Sequence, residues 1–107
     1  MRKFSILLII CLAGFIIASC ETETTKYCRI IYDGNGFTGG DRPLDTNNYT
    51  PDMKAIVLGN TYVKTGYSFK HWNTHWLGTG NSYNPGNEII ITDQYFIHLY
   101  AIWELNN

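Results

Sequence analysis

Hydrophobic and polar positions divide the chain into two unlike parts. Arg2 and Lys3 precede Phe4 through Ser19, an uncharged run dense in Ile, Leu and Phe. That run is shorter than the roughly 20 residues a helix needs to cross hydrocarbon, and with its basic head it predicts a helical signal peptide over residues 1–19. After Lys26 the pattern changes to short apolar clusters separated by Gly, Asn, Asp and Pro. No window there has a 3.6-residue period, while β-branched and aromatic residues recur between turn formers. This predicts a strand-dominated domain over residues 27–105.

The first predicted strand, Tyr27 to Tyr32, places Cys28, Ile30 and Tyr32 on one face and runs into the turn signals of Asp33-Gly34-Asn35-Gly36. A loop with further turn dipeptides covers Phe37 to Thr50, and Lys54 to Leu58 reads as a second strand. Tyr67 to Asn73 is the third. Its alternation sets Tyr67, Phe69 and His71 against Ser68, Lys70 and Trp72, so by pattern alone either face could be the core. Glu88 to Thr92 is a brief apolar run. Ile97 to Glu104 is the last strand, with Leu99, Ala101 and Trp103 as its core lining and His98, Tyr100, Ile102 and Glu104 opposite.

The end of the leader adds an anchor. Ile17-Ala18-Ser19-Cys20 resembles the bacterial lipobox, in which cleavage leaves a lipidated cysteine at the new N-terminus. On this reading Cys20 holds the membrane through its acyl chains, and residues 20–26 form a polar tether. The alternatives are an ordinary signal peptide cut near Ala18 or a short uncleaved anchor. All place the domain outside, in the cell envelope. Asp is absent after Cys20, which fits outer-membrane or cell-surface sorting, with a periplasmic orientation left open. Cys11 leaves with the leader, so Cys28 has no disulfide partner and reads as a buried structural thiol.

Charge narrows the partners. The chain has eight basic and nine acidic residues; without Arg2 and Lys3, six face nine, a net charge of −3. No basic field exists for nucleic acid or an anionic membrane surface.

Five ordered blocks carry a family resemblance: Tyr32-Asp33-Gly34-Asn35-Gly36; Gly66-Tyr67-Ser68-Phe69 leading to Trp72-Asn73-Thr74; Gly78-Thr79-Gly80; Tyr83-Asn84-Pro85-Gly86; and Leu99-Tyr100-Ala101-Ile102-Trp103. Together they resemble the Listeria/Bacteroides repeat, related to the B repeats of listerial internalins, over about Cys28 to Glu104. The resemblance implies a mainly β, at most α+β, β-grasp-like domain with a small antiparallel or mixed sheet. It implies an extracellular module rather than an enzyme. Trp72 and Trp103 match the family tryptophans, which turns Trp72 inward and places the two rings at opposite ends of a core containing Ile30, Tyr32, Leu99 and Ala101. Tyr67 and Phe69 then need a second apolar environment. Gly34, Gly36, Gly66 and Gly86 match turn glycines, expected where backbone geometry excludes a Cβ. His71 stands where the family usually has glycine before the tryptophan, so its side chain must be fitted at that turn of the sheet or pointed to solvent, and the strand has reason to bulge there. Tandem copies are common in the family, whereas here one copy fills the chain after the leader.

Candidate chemistry is thin. His71 and His75 are four apart, but strand into turn does not align them for zinc, and no further ligand stands at a recognised spacing. Asp33, Asn35 and Asp41 lack EF-hand spacing. No metal, cofactor or catalytic motif is expected. The positive signal is Asn73-Thr74-His75-Trp76-Leu77-Gly78, a loop carrying apolar residues where polar ones are usual. Trp76, Leu77, His75 and Phe37 are therefore candidate contacts for an extracellular protein or glycan. The bland alternative folds Trp76 and Phe37 back as satellite core. A reading from another class makes the domain a structural or self-assembling envelope unit, using sheet edges and Ile102, with the oligomeric state open.

Overall fold

The computed structural model describes residues 25–107. The expected signal helix and Cys20 lie outside the described residues, as does all but the end of the tether. Within them the chain is built from strands alone: β1 Arg29–Asp33, β2 Gly39–Gly40, β3 Lys54–Ile56, β4 Tyr62–Val63, β5 Tyr67–Asn73, β6 Ser82–Tyr83, β7 Glu88–Ile90 and β8 Phe96–Leu105. A four-stranded sheet has the order β1-β8-β5-β6, and two-stranded sheets pair β2 with β4 and β3 with β7. β1 and β8 run parallel, whereas β8 with β5 and β5 with β6 run antiparallel. The sheet is thus mixed, one of the two arrangements expected, the small sheets are antiparallel, and the α+β allowance goes unused among the described residues.

β8 occupies the interior of the sheet because its alternation serves one core. Ile97, Leu99 and Ala101 are buried on one side of the strand, opposite β1's buried Ile30 and Tyr32. Ala55, Val57, Tyr62, Ile89 and Ile91, from the two small sheets and their flanks, close over that face and complete the cluster. Each buried Val, Ile or Leu side chain among them contributes about 1.5–3 kcal/mol by leaving water. β1 begins at Arg29 rather than Tyr27, because Cys28 is drawn into an isolated bridge with Tyr49. β2, β4 and β6 were not legible in the pattern. Each is two residues long, too short for any alternation.

The expected bulge is present in β5. Pairing with β8 slips between Phe69 and His71, so that Phe69 faces Trp103 and Trp72 faces Ala101. The extra residue, Lys70, lets Phe69 and Trp72 share the inward face although they are three apart. That resolves the strand's ambiguity. Trp72 is fully buried and its ring meets Tyr32 at 4.8 Å and Phe69 at 5.0 Å, both edge-on. Trp103 is only half-buried and meets the same Phe69 at 6.1 Å. The two tryptophans are therefore not at opposite ends of the core. Phe69 joins them, because the bulge supplies an inward position between the two that strict alternation denies.

The crossover from β3 to β4 is pinned at one residue. Leu58 donates its backbone N–H to the Tyr32 hydroxyl at 2.9 Å, and its carbonyl accepts the Trp72 indole N–H at 2.9 Å. The Tyr62 hydroxyl in turn donates to the Tyr32 carbonyl at 2.7 Å. Burial pushes the Tyr32 phenol up to about 12, with the nearby Asp45 and Tyr49 adding to the shift against the Leu58 hydrogen bond.

Turn glycines follow two different rules. Gly36, Gly66 and Gly86 take φ of +87°, +85° and +89°. Gly34 does not. There a Cβ would collide with the Phe37 ring, so space rather than backbone conformation demands glycine.

Candidate functional site

The Trp76 loop is assembled around one buried amide. Asn73, at the end of β5, is fully buried. Its Oδ1 accepts from the backbone N–H of His75 at 2.8 Å and of Gly80 at 2.9 Å. Its Nδ2 donates to the Gly78 and Gly80 carbonyls, both at 3.3 Å, and to Ser82 Oγ at 3.0 Å. One side chain thus satisfies backbone groups across the loop that have no strand partner. Inside this frame Leu77 N–H donates to His75 Nδ1 at 3.1 Å, and the His75 ring stacks on Trp76 with centroids 5.8 Å apart.

A second amide ties the loop to the sheet. Asn35 lies in the turn after β1 with φ of 48°, stabilised by its N–H donating to Asp33 Oδ1 at 2.8 Å. Its Nδ2 donates to the carbonyls of Trp76 and Ala101, each at 2.8 Å. The Trp103 indole N–H donates to the Gly34 carbonyl at 2.9 Å, which fixes the same turn from below. Trp76 is therefore held at its backbone while 55% of its surface stays exposed, and Leu77 is 62% exposed.

Between these pieces lies a groove of about 310 Å³ lined by Asn35, Lys64, Tyr67, Trp76, Leu77, Ile102 and Trp103. Lys64 Nζ sits 4.2 Å above the Tyr67 ring, a cation–π contact. Among the described residues Lys64 makes no ion pair; the cations that do are Lys26, with Asp93, and Lys54, with Glu88. A larger concavity of about 420 Å³ is lined by Leu44, Asp45, Asn47, Tyr49, Lys54 and neighbours. Its polar groups are already engaged. Asp45 accepts from the Tyr49 hydroxyl at 2.7 Å and from Asn47, and Lys54 pairs with Glu88 at 3.7 Å. The smaller groove, with exposed Trp76, Leu77 and Tyr67 and an ammonium free of ion pairs among the described residues, is the better candidate.

Of the residues singled out from sequence, Trp76 and Leu77 line this groove and His75 braces it from behind. Phe37 does not line it. It is 48% exposed but packs on the buried Tyr62 at 4.6 Å, which is the satellite position the alternative reading described. Tyr67 finds its second environment here. Lys64, Asn35 and Asn73 were not singled out as contacts or supports. Asn35 was hidden inside a turn signal and Asn73 at a strand end, where side-chain amides are read as turn formers rather than as scaffolds.

Other candidate chemistry does not converge. Among the described residues no group of three or more His, Cys, Asp or Glu is placed to hold a metal ion. His71 Nε2 instead lies 3.2 Å from Ser82 Oγ. Cys28 is buried and free, and burial raises its thiol pKa against the opposing pull of Lys26.

A small all-strand module presenting a braced aromatic loop is thus the class that the fold and groove define. The chain belongs to the Listeria-Bacteroides repeat domain family, whose sequence model matches residues 29–102. It is 36% identical over 77 residues to a protein named as a membrane protein of Evansella cellulosilytica, covering 71% of this chain and 11% of that one. It is 37% identical over 75 residues to a protein of the same organism named as a Gly-rich membrane protein, covering 70% of this chain and 9% of that one. The chain thus spans about a tenth of the length of these relatives. No solved structure matches it at a significant level.

Proposed function

We propose that this protein is a noncatalytic cell-envelope module, lipid-anchored through Cys20, that contacts an extracellular protein or glycan through the Trp76 loop. The observation that carries the reading is an exposed tryptophan whose carbonyl is held by Asn35 within a loop that Asn73 frames on either side. Preorganisation of this kind lowers the entropic cost of binding, and tryptophan is a frequent anchor of interfaces. The membrane-protein names of the two relatives support an envelope location, and the lipobox-like sequence supports the anchor. The reading makes three demands. Protease added to intact cells should remove the domain, and Cys20→Ala should abolish acylation. Trp76→Ala should keep the far-ultraviolet spectrum while retention on isolated cell-envelope or host-surface material falls at least tenfold. Retention unchanged in Trp76→Ala would sink the contact assignment.

A second reading has its own observation. On the solvent face of β8, Phe96, His98 and Tyr100 form a ladder with ring centroids 6.3 and 6.1 Å apart, and Phe96 is 53% exposed. Such a row suits an assembling envelope unit without a ligand. Light scattering separates the two, since a monomer at high concentration excludes assembly.

A further inference from the structure

We infer that the groove between the Asn35 turn, the Lys64–Tyr67 turn and the Trp76 loop is a subsite for a pyranose sugar bearing a carboxylate. This rests on the reading of the Trp76 loop as a contact surface and assigns that surface a ligand class.

Three features converge on such a ligand. The first is aromatic area. Trp76, Tyr67 and Trp103 line one groove, and the apolar C–H faces of a pyranose ring pack on aromatic rings as aliphatic groups do. The second is polarity at the rim. Asn35 commits its Nδ2 to two carbonyls, which leaves its Oδ1 as an acceptor for a hydroxyl, and Lys64 supplies N–H donors. The third is charge. Lys64 is an ammonium without an ion-pair partner among the described residues, held against Tyr67 by its cation–π contact at 4.2 Å. A carboxylate would complete it with a charge-assisted hydrogen bond.

The same charges limit the ligand. Nine acidic residues against six basic ones beyond the leader disfavour a densely sulfated or phosphorylated chain, whose repeated charges would meet repulsion outside the groove. One carboxylate per recognised ring suits a single lysine. Size agrees, since about 310 Å³ lies at the small end of ligand sites and accommodates a sugar unit rather than a folded partner. A neutral sugar would leave Lys64 without a counter-charge, and a peptide carboxylate alone would leave the exposed aromatic lining without an apolar ring to cover it.

The test is a matched pair. The full chain in detergent micelles is titrated with methyl glucuronide and with methyl glucoside, which differ only in carboxylate against hydroxymethyl. Indole N–H shifts are followed by NMR. Binding of the glucuronide about tenfold tighter than the glucoside, with shifts at Trp76 and Trp103, is the expected result. Lys64→Met replaces the ammonium with an uncharged apolar chain of similar reach beside Tyr67 and should erase that preference while leaving the spectrum of the fold unchanged. N-acetylmuramic and N-acetylneuraminic acids, run beside N-acetylglucosamine, separate a wall sugar from a host-type sugar. Tighter binding of either acid than of N-acetylglucosamine supports the site. Equal binding of acid and neutral sugars, shifts confined to other residues, or a preference that survives Lys64→Met would overturn the inference. If no sugar binds while Trp76→Ala still abolishes retention on surface material, this inference falls and the contact reading stands.

Discussion

Asn73 shows how much a single buried amide can organise. Its oxygen accepts two backbone N–H groups and its nitrogen serves three acceptors. Asn73→Asp keeps the shape and the acceptor side but turns a carboxylate oxygen toward the Gly78 and Gly80 carbonyls. The expected cost is about 2–4 kcal/mol, read as a lower denaturant midpoint with an unchanged m-value. Exposed Asn81 in the same loop, changed to Asp, should cost less than ~0.5 kcal/mol. Tyr32 makes a pH prediction. Its phenol, near 10 in the unfolded chain, rises to about 12 in the fold, chiefly through burial. Folding therefore favours the protonated form, so this stability is complete below pH 10 and is lost as pH rises from 10 through 12. Tyr49 shifts the same way, by burial and its hydrogen bond to Asp45. Urea unfolding across this range should show the decline. Tyr32→Phe should flatten part of it, while costing about 1–3 kcal/mol at neutral pH because the Leu58 N–H loses its acceptor.

At the scale of elements, legibility followed length. β8, with ten residues of alternation, was readable in its extent and in its inward face of Leu99 and Ala101. β5 was readable in extent but not in facing, because its bulge breaks the period on which the inference depends; only the resemblance to the repeat turned Trp72 inward. The two-residue strands β2, β4 and β6 carry no period, and long-range pairing alone creates them. The groove divides in the same way. Trp76 and Leu77 stood out as apolar residues in a polar loop, whereas Lys64 and Asn35 belong to the site only because the fold brings their separate turns beside it. The bulge offers a sharp contrast. Lys70 is exposed, so Lys70→Ala should change stability by no more than ~0.5 kcal/mol. Deleting Lys70 should instead remove the bulge and leave Phe69 two residues before Trp72, so that strict alternation itself keeps both rings inward and the register with β8 is preserved. Phe69→Ala, which removes the contacts to Trp72 and Trp103 directly, should cost about 1.5–3 kcal/mol or more. Near-ultraviolet circular dichroism and thermal melting should separate Phe69→Ala from both Lys70 variants.

At the scale of the whole molecule, one groove on one small domain sets a limit on affinity. A site of about 310 Å³ recognising one sugar unit holds it weakly, because few atoms contribute. Tandem copies would offset this by raising effective concentration, and the family match here covers residues 29–102 once. If Cys20 is acylated as proposed, the membrane supplies a substitute, since many anchored copies diffuse in two dimensions and engage a polymeric ligand together. Acylated chain reconstituted in vesicles should therefore bind a surface coated with an acidic polysaccharide about 10²–10⁴-fold more tightly than the same chain at one copy per detergent micelle. The gain should fall with copy density and vanish in Trp76→Ala, as read by surface plasmon resonance. Equal binding in the two formats would mean that single contacts carry the affinity, and would point to a protein partner with a larger footprint than the groove.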